Sequence, residues 1–373
     1  MQGLVIGFTS VGYQELIMYA IGIALIFLAI KKEYEPMLLL PIGFGAILAN
    51  LPLSVVIEYE GTAGFLKVLF DSGIANELFP ILIFIAVGAM VDFTPLFKMP
   101  VMIFFGAAAQ FGIFATLIVA VLLGFDLKTA SAIGIIGAAD GPTAIYVATK
   151  FAKDYIGPIS VAAYSYMALV PLIQPPVAKL LTTKEERTIK MRFEEKDVPK
   201  DLMVIFPIIV TFVAGFVAPI SVPLVGSLMF GNLIRESGVL ERLSKAAQNE
   251  LANIVTLLLG ITIGSTMTAA KFLQTDTILI LLMGLAAFIF DTAGGVLFAK
   301  FINLFLKKKI NPLVGAAGIS AFPMSARVMH KLAQADDKQT FILMQAVSAN
   351  VAGQLGSIVA GGMVLAIVPM LVR

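Results

Sequence analysis

Apolar segments long enough to cross a lipid bilayer recur along almost the whole chain. A membrane-spanning helix needs about 20 mostly apolar residues. Segments of this kind occur at 13–31, 36–53, 77–93, 100–125, 158–181, 201–220, 222–236, 250–267, 275–305 and 338–370. The composition indicates that these segments face lipid, because 59% of the 373 residues are hydrophobic and only 13% are charged. Soluble domains have about 25% charged residues. The sequence therefore predicts an all-α polytopic (multi-pass) protein of the cell membrane.

Two further apolar segments, 129–150 and 311–331, contain polar residues, glycine and proline, and are predicted to be broken or re-entrant elements. In the first, Asp140 is followed at once by a Gly-Pro dipeptide, and the second has its break at Phe322-Pro323. Non-helical backbone at membrane depth persists only where it is buried in protein or lines a wet cavity. Each break frees carbonyl oxygens, and Asp140 adds a formal negative charge beside the first.

The two halves of the chain resemble each other. The matching segments are 43–50 with 229–236, 76–92 with 249–265, and 137–152 with 315–333. Each half has about five predicted spans and one broken element, and because five is odd the second half must be inverted. We predict a first membrane repeat at 1–181, a cytoplasmic linker at 182–200 and a second, inverted membrane repeat at 201–373. Inverted repeats with broken helices are typical of secondary transporters, whose ion sites lie near the midplane.

Lysine and arginine in the short loops predict the orientation, because basic loops stay on the cytoplasmic side. The basic loops are 31–35, 182–200, 235–245 and 306–310. The loop 54–76 is mainly acidic and is predicted to lie outside, with the weakly apolar stretch 61–70 at the membrane interface. Lys150 and Lys153 fall on the outer side in this arrangement, which is a mild conflict.

Asp140 is the residue that most strongly indicates a function. A charged side chain at the membrane centre costs about 2.5–3.5 kcal/mol on insertion scales, and acids there usually serve an ion or proton pathway. The alternative is structural, because aspartate is a good N-cap for the half-helix that follows, and both roles are compatible. A carboxylate among hydroxyls, amides and carbonyls suits a hard cation such as Na⁺, and Thr143 is a further candidate oxygen ligand.

A second polar cluster accompanies the second break, at Asn311, Gly315, Ser320 and Arg327. Asparagine and serine supply oxygens, and glycine allows close backbone approach. Arginine supplies a permanently charged, planar fork for a carboxylate. Alternatively, Arg327 is an anchor at the cytoplasmic face, and Asn311 is an N-cap before Pro312.

Further polar groups lie inside the apolar spans, at Tyr166, Gln174, Asn350, Gln354 and Ser357. Singly, such groups more often join helices than form a site, but their occurrence in the last span of both halves favours a shared site. Tyr166 is also a candidate proton donor. Asp291 is another acid in an apolar segment, for which pairing within the helix bundle and a functional role are equally open.

Composition excludes several other classes of site. The chain has no cysteine and one histidine, His330, which excludes disulfides, thiolate chemistry and a histidine-rich metal centre. A Ser-His-Asp triad would need His330 as its member, and no nucleophile motif supports one. The net charge of +2 gives no indication of nucleic acid as a partner.

Four motifs together resemble the β subunits of the sodium-pumping, biotin-dependent decarboxylases, which act with oxaloacetate, methylmalonyl-CoA, glutaconyl-CoA or malonate systems. The motifs are GAADGPTAIYVATK (137–150), AAYSYMALVPLIQPP (162–176), NPLVGAAGISAFPMSAR (311–327) and SANVAGQLGS (348–357). The resemblance covers nearly the whole chain, which is similar to a short form of the family.

The resemblance implies that this chain decarboxylates carboxybiotin, consumes a proton and exports Na⁺. It implies Na⁺ binding at Asp140 with help from Asn311, Ser320 and Asn350, and Thr143 and Gly315 are further candidates for the same ion site. Tyr166 and Ser320 are expected to have catalytic roles, and we infer from its charge that Arg327 is catalytic too and steadies the carboxylate of carboxybiotin. The implied partners are a carboxyltransferase (α) subunit, a biotin carrier protein and a small membrane-anchored (γ or δ) subunit, in a homo-oligomeric assembly. Biotin is expected on the carrier, because this sequence has no Ala-Met-Lys-Met-like attachment site.

Two alternatives stay open at the level of the sequence. A secondary sodium-coupled carboxylate transporter without catalytic activity would also have inverted repeats and broken helices. A non-catalytic membrane anchor would not need Asp140 inside the membrane, so that residue counts against it.

Overall fold

The computed structural model describes residues 10–52, 55–59, 61–191 and 197–372. Within these ranges the chain is helical apart from loops and one short antiparallel hairpin, in which Glu58–Tyr59 pairs with Thr62–Ala63. Residues 192–196 of the predicted linker and the last residue of the predicted span 36–53 lie outside the described residues.

The helices of the first half are, in chain order, α1 (Tyr13–Lys32), α2 (Pro36–Ala49), α3 (Phe65–Leu69), α4 (Leu78–Met90), α5 (Thr94–Lys98), α6 (Met102–Ala108), α7 (Phe111–Leu122), α8 (Leu127–Ile135), α9 (Gly141–Phe151), α10 (Ile156–Ala168) and α11 (Val170–Leu181). A π-helical turn, Phe70–Ile74, extends α3, and a 3₁₀ turn, Ile136–Ala138, extends α8. A second 3₁₀ turn, Lys153–Tyr155, precedes α10.

The helices of the linker and second half are α12 (Lys184–Arg187), α13 (Lys200–Val217), α14 (Val222–Glu236), α15 (Glu241–Ala246), α16 (Ala252–Ser265), α17 (Ala269–Phe272), α18 (Thr275–Asn303), α19 (Pro312–Ala316), α20 (Met324–Asp336) and α21 (Leu343–Leu371). A 3₁₀ turn, Pro219–Ser221, precedes α14, and a π-helical turn, Ala247–Leu251, joins α15 to α16.

Six helical stretches of the described chain are long and apolar enough to cross a membrane: α1, α6 with α7, α13, α15 with α16, α18 and α21. Two further apolar pairs are bent, by 60° between α3 and α4 and by 69° between α10 and α11, which gives eight spans if each pair counts as one. The sequence predicts ten. The difference lies in α2 and α14, which have 14 and 15 residues and reach about 21–23 Å at 1.5 Å per residue, less than the roughly 30 Å of hydrocarbon.

Those two short helices pack against partners from the opposite half of the chain, α2 on α16 and α14 on α4. Both contacts depend on glycine, because a Cβ on Gly45 would overlap the Ile261 carbonyl and one on Gly231 would overlap the Ile85 carbonyl. Small residues allow such close backbone approach in membranes. Each short helix thus packs on a span of the other half, while the internal repeat and its boundaries at 1–181 and 201–373 stay a prediction.

The outer surface is strongly apolar. Leu122, Leu180 and Phe216 expose 80%, 86% and 85% of their surface, which would be costly in water. Buried polar side chains concentrate instead on the inner helices, and α21 in particular buries Asn350 and Ser357 completely. The apolar exterior and polar interior are consistent with a multi-pass membrane protein whose site lies inside the bundle.

Candidate functional site

The first broken element places Asp140 at a helix start inside the protein. Asp126 caps α8 by accepting hydrogen bonds from the backbone N–H groups of Lys128 and Thr129. After α8 and its 3₁₀ turn, Ala139 adopts a left-handed conformation with φ of 52°, which is uncommon for a residue with a Cβ. Asp140 is then extended and is the N-cap of α9, accepting a hydrogen bond from Thr143 N–H at 3.3 Å.

The second broken element meets the first at its break. Its two helices, α19 and α20, are separated by residues 317–323, and the Phe322-Pro323 peptide bond is cis. Ser320 N–H donates a hydrogen bond to the Ala138 carbonyl at 3.0 Å. The two predicted breaks are therefore in direct contact, two residues before Asp140.

One face of α21 lies against both breaks. Asn350 donates through Nδ2 to the Ile319 carbonyl, and the Gly353 carbonyl accepts from Ser320 Oγ at 2.8 Å. One turn further, Gln354 and Ser357 reach Asp140. These four residues stand at positions i, i+3, i+4 and i+7, which lie on a single helix face.

The Asp140 carboxylate is held almost entirely through one oxygen. Oδ2 accepts hydrogen bonds from Thr143 Oγ1 at 2.8 Å, Gln354 Nε2 at 3.1 Å and Ser357 Oγ at 2.7 Å. Asp140 is only 4% exposed, and among the described residues no lysine, arginine or histidine contributes to its surroundings. These three side-chain donors and the Thr143 backbone N–H, four donors in all, favour the ionised carboxylate. Its charge then lacks a cationic partner.

Two buried polar atoms in this region have no hydrogen-bond partner among the residues that the structure describes. They are Asn350 Oδ1 on the face of α21 and Tyr164 Oη, whose ring a Cβ on Gly141 would overlap. An unpaired buried acceptor beside an ionised carboxylate is what a cation site needs. No three His, Cys, Asp or Glu side chains of the described residues converge on a metal position, so the donor set is one carboxylate with neutral oxygens, as a monovalent cation would suit.

The side chain of Asn311 contacts the linker and not Asp140. We use the term strap for residues 182–191, which cross the start of the second broken element. Asn311 caps α19, and its Nδ2 donates to the strap carbonyls of Arg187 at 2.7 Å and Ile189 at 3.1 Å. Arg187 Nε in turn donates to Asp336 Oδ2 at 2.5 Å, and this hydrogen bond lowers the pKa of Asp336 below its ordinary value of 3.8. The structure thus bears out Asn311 as an N-cap and does not bring its amide to Asp140.

Gly315, Tyr166 and Arg327 also lie outside the contacts of Asp140. Gly315 packs directly on Gly295 of α18. Tyr166 donates its hydroxyl to the Leu281 carbonyl and packs on a small cluster that includes Ala139 and Ile319. Arg327 is exposed on α20. Of the residues predicted as ligands, the structure gathers Asp140, Thr143, Ser320 and Asn350 where the breaks meet α21.

Sequence reasoning named Thr143 as a ligand beside Asp140 and placed Gln354 and Ser357 in a shared site, but it did not assign these last two to Asp140. Gln354 and Ser357 were identifiable as polar residues in an apolar span, but nothing local indicates that both reach Asp140. Tyr164, two residues before Tyr166 and on another face of α10, contacts Gly141 instead. The overlap of a Cβ at Gly141 with the Tyr164 ring explains the glycine, which the sequence shows only as part of a break.

Comparisons with known proteins agree with these features. Residues 14–368 match the sequence family described as "Na+-transporting oxaloacetate decarboxylase beta subunit". The chain is 50% identical over 362 residues to the glutaconyl-CoA decarboxylase subunit beta of Acidaminococcus fermentans, covering 97% of this chain and 95% of that one. It is 49% identical over 360 residues to the methylmalonyl-CoA decarboxylase subunit beta of Veillonella parvula (96% and 95%). It is 43% identical over 422 residues to the oxaloacetate decarboxylase beta chain of Klebsiella pneumoniae (98% and 97%).

Proposed function

The chain belongs to the family of Na⁺-transporting oxaloacetate decarboxylase β subunits, which are membrane subunits of sodium pumps, and on this premise we propose that it decarboxylates carboxybiotin and exports Na⁺. The reaction breaks the bond between the ureido nitrogen and the carboxyl carbon. CO₂ leaves, and the nitrogen takes up one proton. Biotin is carried by a partner subunit and binds here only as the arriving substrate.

The observation that supports this proposal most directly is the state of Asp140. Its carboxylate is buried where two broken elements meet α21 and receives four hydrogen bonds. No cationic side chain of the described residues balances it. A transported Na⁺ would supply the missing charge, with Thr143, Ser320 and Asn350 as further oxygen ligands.

We assign Asn311 and Gly315 a role in shaping the second broken element, since one fixes the start of α19 and the other its packing on α18. Arg327 is proposed to hold the carboxylate of carboxybiotin, because it is exposed and a guanidinium pairs well with carboxylates. Tyr166 packs against a cluster that includes Ala139, and residues of α20 pack against the same cluster. Tyr166 and Ser320 are proposed to assist the proton uptake.

A β subunit implies a multi-subunit complex. We propose a carboxyltransferase (α) subunit, a biotin carrier protein and a small membrane-anchored (γ or δ) subunit as partners, with more than one copy of this chain. Relatives named for glutaconyl-CoA and methylmalonyl-CoA decarboxylases are equally similar, at 50% and 49% identity. The acid is therefore selected on the carboxyltransferase and not on this chain. A sodium–carboxylate symporter is not favoured, because these relatives are decarboxylase subunits.

The test compares two aspartates that both cap helices of the first broken element. The chain, with partner subunits added, is reconstituted in liposomes, and CO₂ release from carboxybiotin and ²²Na⁺ movement are measured together. Asp140→Asn should abolish both, and Asp126→Asn, at the start of α8, should keep both. Coupled turnover in Asp140→Asn would contradict the proposal, and Na⁺ flux without any response to carboxybiotin in the unaltered chain would favour the symporter.

The role of Arg327 has its own matched pair. Arg327→Ala should raise the carboxybiotin concentration needed for half-maximal turnover, while Na⁺ binding stays unchanged. Lys331, also exposed one turn further along α20, is the control. Equal effects of Arg327→Ala and Lys331→Ala would remove the specific role of Arg327 and leave only a general basic surface.

A further inference from the structure

Asp291 is a second acid inside the membrane region, and the proposed pump does not use it. It lies near the middle of α18, a 29-residue span, and its side chain is completely buried. A carboxyl group at that depth needs a physical reason.

The first carboxyl oxygen, Oδ1, accounts for part of that reason. The span Met102–Leu122 is interrupted between α6 and α7, so the first N–H groups of α7 have no carbonyl partner of their own helix. Asp291 Oδ1 accepts a hydrogen bond from Gly112 N–H at this start. The carboxyl thus caps a helix that begins inside the protein.

The second oxygen, Oδ2, has no such explanation. It is buried and has no hydrogen-bond partner among the described residues. It lies against the first broken element, because a Cβ on Gly137 would be 2.7 Å from it. Gly137 is three residues before Asp140.

No charged group faces Asp291 from the helices that pack on α18. The titratable side chains of those helices are Lys128, Tyr164, Tyr166 and Lys179. Lys128 lies at the far start of α8 and Lys179 is exposed near the end of α11, while Tyr164 contacts Gly141 and Tyr166 bonds to the Leu281 carbonyl. Within the described chain the charge state of Asp291 is therefore set by burial and by the backbone N–H groups of Gly112 and Ile113.

The two buried acids differ in a way that separates their states. Asp140 has four donors, two of them hydroxyls and one an amide, whereas Asp291 has only the backbone N–H groups of Gly112 and Ile113 and keeps one bare oxygen. An unpaired hydroxyl in a dry interior costs less than an unpaired charge. Among the described residues no group of three His, Cys, Asp or Glu side chains converges on Oδ2. We infer that Asp291 holds a proton on Oδ2 and is a proton-binding carboxyl distinct from the Asp140 site.

A consequence follows that rests on the proposed function. Loss of this proton would put a second negative charge beside the element that holds Asp140 and would strengthen Na⁺ binding there. Because coupling between two sites is reciprocal, Na⁺ bound at Asp140 favours release of the proton from Asp291.

Infrared spectroscopy of the full chain in lipid tests the inference without any measurement of turnover. Aspartate labelled with ¹³C at the side-chain carboxyl separates its protonated C=O band from those of glutamate. At neutral pH we expect a protonated-aspartate band in the unaltered chain, its loss in Asp291→Asn and its retention in Asp140→Asn. Asparagine keeps an oxygen for Gly112 N–H, so the cap is preserved.

The outcomes separate this inference from the pump itself. If the unaltered chain shows no protonated-aspartate band, the inference is overturned, whether or not Asp291→Asn folds. A band that disappears in Asp140→Asn but persists in Asp291→Asn would also overturn it. Na⁺, compared with N-methylglucamine, should lower the pH at which the band disappears. A band that depends on Asp291 but ignores Na⁺ supports the proton site and contradicts Na⁺ binding at Asp140.

Discussion

Replacing Ser357 by alanine is expected to weaken Na⁺ binding about 10- to 100-fold. Ser357 Oγ has one proton and two nearby acceptors, Asp140 Oδ2 at 2.7 Å and the Gln354 carbonyl at 3.0 Å. The shorter contact, to a carboxylate, takes the proton, and a hydrogen bond to a charged group contributes about 1.5–3 kcal/mol. At about 1.4 kcal/mol for each tenfold change, this corresponds to about 10- to 150-fold. Residues that orient a metal ligand typically contribute about 10- to 100-fold in affinity.

Burial makes the loss difficult to repair. Ser357 is 0% exposed, so water does not readily replace the missing hydroxyl, and Oδ2 keeps only Thr143 and Gln354 as side-chain donors. The measurement is equilibrium ²²Na⁺ binding to the purified chain, followed by the Na⁺ dependence of CO₂ release in the reconstituted complex. Both should shift together.

Ser348 provides the matched control on the same helix. It is also completely buried, and its Oγ donates at 2.8 Å to a neutral acceptor, the Pro95 carbonyl. Ser348→Ala removes the same atoms without touching Asp140. The reasoning would be refuted by unchanged Na⁺ binding in Ser357→Ala, or by an equal loss in Ser348→Ala.

Three other predictions concern the two broken elements. Gly141→Ala should prevent normal assembly, because its Cβ would overlap a buried tyrosine ring, whereas the Cβ of Gly226→Ala would meet no atom closer than 3.6 Å and should be tolerated. The yield of detergent-extracted protein and the unfolding temperature are measured for both variants. Equal values for the two variants would contradict the packing at Gly141. Asn311→Ala should release the strap, so that limited proteolysis within 182–191 becomes several-fold faster. Na⁺ binding should fall less than it does in Ser357→Ala. A larger loss of Na⁺ binding would show that Asn311 is a ligand. Arg187 lowers the pKa of Asp336 below 3.8, so their ion pair stabilises the strap fully above pH 3.8 and is lost as the pH falls through the lower folded-state value. Hydrogen exchange of the strap should therefore rise in that acidic window, after correction for intrinsic rates, and Arg187→Ala should abolish the step.

Much of the architecture follows from short-range chemistry. Hydropathy over 20 residues identifies the membrane class, and Gly-Pro after Asp140 and Phe322-Pro323 mark the two breaks where the structure has them. Asp140 stands out because an acid in an apolar segment has few structural reasons to be there. The count of spans was less well determined, since hydropathy does not show that α2 and α14 end after 14 and 15 residues.

The polar neighbours of Asp140 were decided only by the tertiary structure. Gln354 and Ser357 are 214 and 217 residues away in the sequence, and they reach Asp140 because of how α21 is rotated and where it crosses the first break. The same packing brings Tyr164, and not Tyr166, against Gly141, and it directs the Asn311 side chain to the strap.

The sequence by itself therefore determined the membrane class, the two breaks and the acid at the first of them, since each depends on residues adjacent in the chain. Which side chains surround that acid was decided by helix rotation and packing. In a soluble helix the polar face reports its rotation, but a membrane helix is apolar both towards lipid and towards the core. The pattern of apolar residues then carries little information about which face turns inward, and only the packed structure supplies it.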